Sequence, residues 1–473
     1  MSNVETLVRD YAEHIDSLSV PVALDSLVVS PTKPSVRGLN TRLSFTRGMA
    51  VGFAAFAVVL AVSAIATLGP FTPVSDTAET PPVVVGSSLD WSRVPHDDAV
   101  FSGSSEVLNN DVVVLELSMS DVAVGGPGLV AVGMEEWPDF GGNSVAGGPQ
   151  TAVVWTSVDG TTWTRVPDND AVFGSAYFGA NVGGVIAGGP GLIAVGSHIG
   201  VRSVVNYAVV WTSADGTTWS RVPHDESVFG DAAMSSVTPF GSGYVAVGRT
   251  GEPRTGKGNN AAVWTSPDGI TWSRGPLIEW ASSETIGEGM SQVAAGSAGS
   301  LVAIGWERSK QEGHLSPPIW NSSDGITWSR LSDDEAVFGG GGIAVVFSGG
   351  PGFIGVGSVG ADAAVWTSPD GITWSRVPHD ETVFRGAGIT SVTKGGPGFI
   401  AVGWAGLDAA AWTSPDGVTW SRVPHDETIF GGQPEDEISS VVAFGSEIVA
   451  VGASGEDAVR RVAAVWIAKV EGP

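Results

Sequence analysis

Six times in this 473-residue chain an acid stands in the frame Ser-x-Asp-Gly-x-Thr-Trp, supplied by Asp159, Asp215, Asp268, Asp324, Asp370 and Asp416. Repeated carboxylates flanked by hydroxyls suggest cation binding or acid chemistry. A calcium loop alternates its oxygen donors, whereas residues such as Ile270, Ile326 and Ile372 follow Asp-Gly directly, so no metal is expected in these segments. Turn formation fits the spacing better. Asp and Ser accept neighbouring backbone N–H groups, and Gly takes the positive φ that closes a hairpin. A motif present in every unit is expected to build each unit before it does anything else.

Glycoside hydrolysis needs only two suitably spaced carboxylates, and Glu135, Glu136, Asp139, Glu252, Glu307 and Glu312 stand in the irregular stretches between the regular ones. With 50 acids in the chain, such a pair carries little information. The same stretches hold Trp137, Arg202, Arg249, Arg254, Trp306, Arg308 and Trp404, aromatic and cationic side chains suited to binding. Cys is absent, which removes disulfides, thiol catalysis and Cys-based zinc sites, and no cofactor is indicated. His96, His224, His379 and His425 recur in a VPHD segment and read as architecture.

These residues need a scaffold. Residues 388–424 contain four short runs, ITSVTKGG, GFIAVGW, DAAAWTS and VTWSRVP, rich in β-branched residues and separated by Gly, Pro, Asp and Ser. Four strands per unit at a spacing of 46 to 56 residues is the pattern of a β-propeller blade. The second-strand signature occurs seven times, from GLVAVG at 128 to EIVAVG at 447. The third-strand Trp also occurs seven times, at Trp155, Trp211, Trp264, Trp320, Trp366, Trp412 and Trp466. The fourth-strand signature is displaced, its first copy DWSRVP at 90–95 preceding any complete blade. The expectation is an all-β, seven-bladed propeller of four-stranded antiparallel blades over residues 88–473. Its strand near 89–95 would complete the last blade beside residues 463–470.

The six copies resemble the Asp-box of the sialidase and BNR-repeat superfamily, here one residue shorter because Asp and Gly are adjacent. The resemblance covers about residues 89–468 and implies a propeller. In an enzyme of sialidase type it would also imply three arginines for a substrate carboxylate, a Tyr nucleophile assisted by Glu, and an acid Asp, typically on six blades. Here Arg93, Arg165, Arg221, Arg274, Arg330, Arg376 and Arg422 share one repeated strand position, and Tyr177, Tyr207 and Tyr244 are the only tyrosines outside the N-terminal tail. No such constellation can be assigned.

In a four-stranded blade the first-to-second and third-to-fourth turns share one face, while the second-to-third loops and the crossings between blades share the other. The near-constant turns fall on the first face. The long insertions, 134–150, 197–206, 249–260 and 307–317, fall on the second, which is therefore the expected binding surface. The crossings carry acid pairs such as Asp97-Asp98, Asp225-Glu226, Asp334-Glu335, Asp380-Glu381 and Asp426-Glu427 beside Phe101, Phe229, Phe338, Phe384 and Phe430. These acids either ring the face with negative charge or cap turns and pair with the repeated arginines.

A formal charge of -27 opposes phosphate binding, so nucleic acid is not an expected partner. Residues 49–68 carry no charge, and at ~1.5 Å per residue they suffice to cross a ~30 Å hydrocarbon core. Lys33, Arg37, Arg42 and Arg47 precede this run, and Asp76 and Glu79 follow it. Positive-inside logic then puts residues 1–48 in the cytoplasm, with an amphipathic helix at 4–18 for a possible partner there. Residues 49–70 would span the lipid bilayer and the Pro/Thr-rich 71–87 would be a linker. The expected protein is a membrane-anchored, extracytoplasmic, non-catalytic binding module for glycan or protein ligands. The alternatives are a glycoside hydrolase and a transmembrane sensor or regulator.

Overall fold

The computed structural model describes residues 89–470 apart from 109–110, 137–149, 175–178, 200–205, 252–258, 279–284, 298, 310–316, 333, 397, 432–435 and 456–460. The expected tail, membrane span and linker lie outside these residues, as do Trp137, Asp139, Arg202 and Arg254. Among the described residues no helix is long and apolar enough to cross a membrane.

Seven four-stranded antiparallel sheets form a seven-bladed propeller. Blade 1 runs outward through Glu116–Gly125, Gly128–Glu136, Gln150–Ser157 and Trp163–Arg165. Blades 2 to 6 begin at Gly179–Gly188, Ala232–Phe240, Thr285–Ala295, Gly342–Gly349 and Ala387–Gly395. Blade 7 comprises Glu437–Phe444, Glu447–Gly455 and Arg461–Val470, completed on the outside by Leu89–Arg93. The first strands neighbour one another all the way round, blade 7 against blade 1 included. The displaced fourth-strand copy thus does close the ring, in the register Leu89 to Val470 through Arg93 to Trp466.

The core lies between the blades. Among the described residues the seven apolar clusters each join two adjacent sheets. The cluster that joins blades 7 and 1 packs Val449, Val451 and Ile467 against Leu117, Leu129 and Trp155. Sheets covered on both faces need apolar residues at successive positions, which explains runs such as 129–132 and 152–155, every residue of them buried.

Six of the seven third-strand tryptophans fix their blade to the crossing before it. Trp155 Nε1 donates to the Val100 carbonyl at 2.8 Å, and Trp211, Trp264, Trp366, Trp412 and Trp466 do the same to Val172, Val228, Val337, Val383 and Ile429. Most of these crossings contain a one-turn helix, such as Asp98–Phe101 or Glu381–Phe384, that the sequence reading did not foresee. Four residues are too few to show helical periodicity. Asp97, Asp225 and Asp380 cap the turn by accepting from Ala99, Ser227 and Thr382 N–H, and the Phe that closes it is buried. Capping is thus the role of the first acid of each pair. A short hairpin, Ser105–Leu108 with Asp111–Val114, adds to the crossing that enters blade 1.

Candidate functional site

The six repeated segments are closed turns. In the first, Ser157 Oγ accepts from Gly160 N at 2.8 Å, and Asp159 Oδ1 accepts from Thr161 and Thr162 N at 2.8 and 2.7 Å. Trp163 Nε1 donates to the Gly160 carbonyl at 2.7 Å. Gly160 has φ +77, a value its five counterparts share within a few degrees. The N–H donors hold Asp159, Asp268 and Asp324 at about 2 and lower Asp215 as well. A carboxylate consumed by its own turn offers little to a ligand. What this face does present is apolar tips, with Val158, Ile270, Ile326, Ile372 and Val418 exposed.

The opposite face is chemically varied. Glu135 is buried, accepts from Ser104 N, and meets Arg165 at 3.2 Å. Glu307 meets Arg330 at 2.7 Å, with the buried Glu288 at 3.9 Å from the same guanidinium, and Glu437 meets Arg461 at 3.3 Å. Glu136 accepts from Gln150 at 2.9 Å, and burial raises its pKa. Arg308 is exposed. Arg249 is partly covered, and desolvation lowers its pKa against the opposing charge of Asp231. The second acids of the crossings serve the recurrent histidines: His224 lies 3.0 Å from Glu226, and His425 lies 3.0 Å from Glu427 and 3.8 Å from Asp408. The last three side chains bring donor atoms within 4.8 Å of one another. Blade 5 repeats the Asp–His contact between Asp362 and His379 at 3.5 Å, so the pattern belongs to the crossing.

Trp306 and Trp404 occupy one repeated position, directly after the second-strand glycines Gly305 and Gly403. Each is paired across to a glycine of the inner strand, Gly289 and Gly388. The rings lie against these glycines: a Cβ on Gly388 would stand 2.6 Å from Trp404 Cε2, and one on Gly289 2.9 Å from Trp306 Cε2. Both indoles remain half-buried. Blade 5, between them, has the small pair Ser358 and Gly342 at this position.

The channel side of the inner strands holds a polar belt absent from the sequence reading. Each inner strand has a bulge, between Met119 and Asp121 in blade 1, Met234 and Ser236 in blade 3, and Met290 and Gln292 in blade 4. In these three blades the residue that follows the bulge serves the next blade. Asp121 accepts from Val185 N at 2.9 Å, Ser236 from Val293 N at 3.3 Å and Gln292 from Val346 N at 2.6 Å. An inner strand is a sheet edge whose N–H groups need acceptors, and these side chains supply them. Asp121 also accepts from Ser440 Oγ at 2.8 Å and so ties blades 7, 1 and 2 together. Asp121 is half-buried, and desolvation raises its pKa despite these donors.

Neither a protein-family model nor a curated protein matches the chain. Solved structures resemble the chain at low similarity. A protein of unknown function from Dyadobacter fermentans is 12% identical with a TM-score of 0.45, over 82% of this chain and 100% of that one. An alpha-L-arabinanase of Penicillium chrysogenum, complexed with arabinobiose, is 15% identical with a TM-score of 0.40, over 80% and 98%. Trypanosoma rangeli sialidase, in complex with sialic acid, is 13% identical with a TM-score of 0.45, over 82% and 60%.

Proposed function

We propose that the chain is a non-catalytic binding module that takes glycans on its loop-bearing face. The observation that carries this reading is the pair Trp306 and Trp404, two partly exposed indoles backed by inner-strand glycines and separated by the small residues of blade 5. An indole face is apolar and electron-rich, suited to the C–H face of a sugar ring, and a neutral glycan is not repelled by the charge of -27. Asp362 and His379 of blade 5 add polar groups for hydroxyls. In this reading residues 49–70 tether the ring outside the membrane and residues 1–48 remain in the cytoplasm. Affinity electrophoresis against a polysaccharide panel tests it. At least one polymer should retard the wild type, and the Trp306→Ala/Trp404→Ala double variant should lose that retardation while keeping its circular dichroism. Equal retardation of both proteins would end the proposal.

A hydrolytic alternative has one specific support, the raised pKa of Glu136 on the same face, which suits a general acid. Its neighbour Glu135 is held by Arg165 and Ser104, so the second carboxylate has to come from elsewhere. Turnover of a glycoside substrate that vanishes in Glu136→Gln would establish this alternative.

A further inference from the structure

One repeated position sorts the blades, and in blades 3, 5, 6 and 7 it holds the uncharged Thr250, Val359, Ala405 and Ser454. Two residues beyond the second-strand glycine, blades 1 and 4 carry Glu135 and Glu307, each on the guanidinium of its own outer-strand arginine. In blade 2 that position is His198, and the corresponding Arg221 meets no carboxylate among the described residues. Its Nε and Nη2 are buried without a hydrogen-bond partner there. The guanidinium lies 5.7 Å from the Tyr207 ring centroid, and Tyr207 stacks on His198 at 4.8 Å and meets His224 at 4.7 Å. A cavity of about 10 Å³, lined in part by Arg221, Tyr207 and His224, has room for one water-sized atom and so for a single carboxylate oxygen.

Cationic groups also collect next door. Arg249 Nη1 and Arg274 Nε of blade 3 are buried without partners among the described residues. Arg274 donates to the carbonyl of Gly230, the residue that bridges to Tyr207. Asp231 is the acid whose charge acts on both of these arginines, and Glu226 lies on His224 at 3.0 Å.

We infer that the rim of blades 2 and 3 is an oxyanion site, in which Arg221 takes the carboxylate of an acidic ligand in place of the glutamate that blades 1 and 4 provide internally. Planar N–H donors match a carboxylate, and Tyr207, itself stacked on His198, lies against the guanidinium. The site lies on other blades than Trp306 and Trp404 and is independent of the glycan proposal.

Thermal unfolding of the full chain, titrated with sodium acetate, sulfate or chloride, tests it. Acetate should raise the wild-type Tm saturably, and Arg221→Gln should weaken the apparent affinity at least tenfold. His198→Glu carries the test should Arg221→Gln not fold: the restored internal carboxylate should raise the Tm without acetate and abolish the acetate dependence. A wild-type Tm indifferent to acetate, or equal shifts in wild type and both variants, would overturn the inference. An Arg221-dependent shift with sulfate or chloride alone would overturn the carboxylate assignment.

Discussion

The guanidinium of Arg93 stands 3.2 Å from the carboxylate of Asp436, although 343 residues separate them. The contact belongs to the seam where the first described strand joins blade 7, and Trp91 packs on Phe430 beside it with ring centroids 5.7 Å apart. Trp91→Ala should therefore cost about 3–5 kcal/mol, the range for truncating a buried Trp. Chemical denaturation measures this directly. A loss below about 1 kcal/mol would mean that the ring does not depend on its closing strand.

The repeated turns make a pH prediction with a definite sign. Asp159, Asp268 and Asp324 have folded pKa values of about 2 against an ordinary 3.8, so each favours the fold when ionised. Their contribution is complete above about pH 4 and disappears as the pH falls toward 2. Tm measured between pH 2 and 5 should decline, and Asp268→Asn should decline less steeply. Parallel curves for the two proteins would contradict this account.

Asp121 has the opposite sign. Its folded pKa is raised, so it contributes most when protonated, below about pH 4, and its contribution falls as the pH rises through the folded value. Asn at this position keeps an acceptor for Val185 and a donor for Ser440 without the desolvated charge, and gives up only the acceptor for Val122 N–H. Asp121→Asn should raise the Tm at pH 7, with the gain shrinking in acid, whereas Asp121→Ala should lower it by leaving Val185 N–H unpaired. An Asn variant less stable than the Ala variant would refute the reading.

The tryptophan bonds are unequal. Trp366 Nε1 donates to Val337 at 3.1 Å, whereas Trp320 Nε1 is buried without a partner among the described residues. Both rings are fully buried, so Trp→Phe removes similar apolar area at each. Trp366→Phe should be the more destabilising by about 1 kcal/mol, the net worth of one hydrogen bond, when both are compared by urea unfolding.

Much of the ring was legible because the blades repeat a buried Trp and Gly-rich turns, and these leave fixed marks at fixed spacing. The displaced DWSRVP copy pointed to the seam for the same reason. The polar belt was not legible, since Asp121, Ser236 and Gln292 become equivalent only once the bulges set their register. The pairing of Glu135 with Arg165 and of Glu307 with Arg330 was also hidden, because it joins side chains through the outer edge of each sheet rather than along the chain. The contrast between His198 and these two glutamates stood in the aligned segments all along. It acquired meaning only when the arginine opposite was located.

The seam also explains why six turn motifs serve seven blades. The motif joins third and fourth strands, and in blade 7 those strands are Arg461–Val470 and Leu89–Arg93, with Leu89 and Val470 facing each other as the two sides of an open hairpin. The propeller is in this sense a cyclic object cut at one of seven equivalent corners. A seventh Ser-x-Asp-Gly turn spliced between Val470 and Leu89 would make the ring continuous, and the cut could then be moved to any other corner. Circular permutants opened at 369–371 should fold to the same propeller.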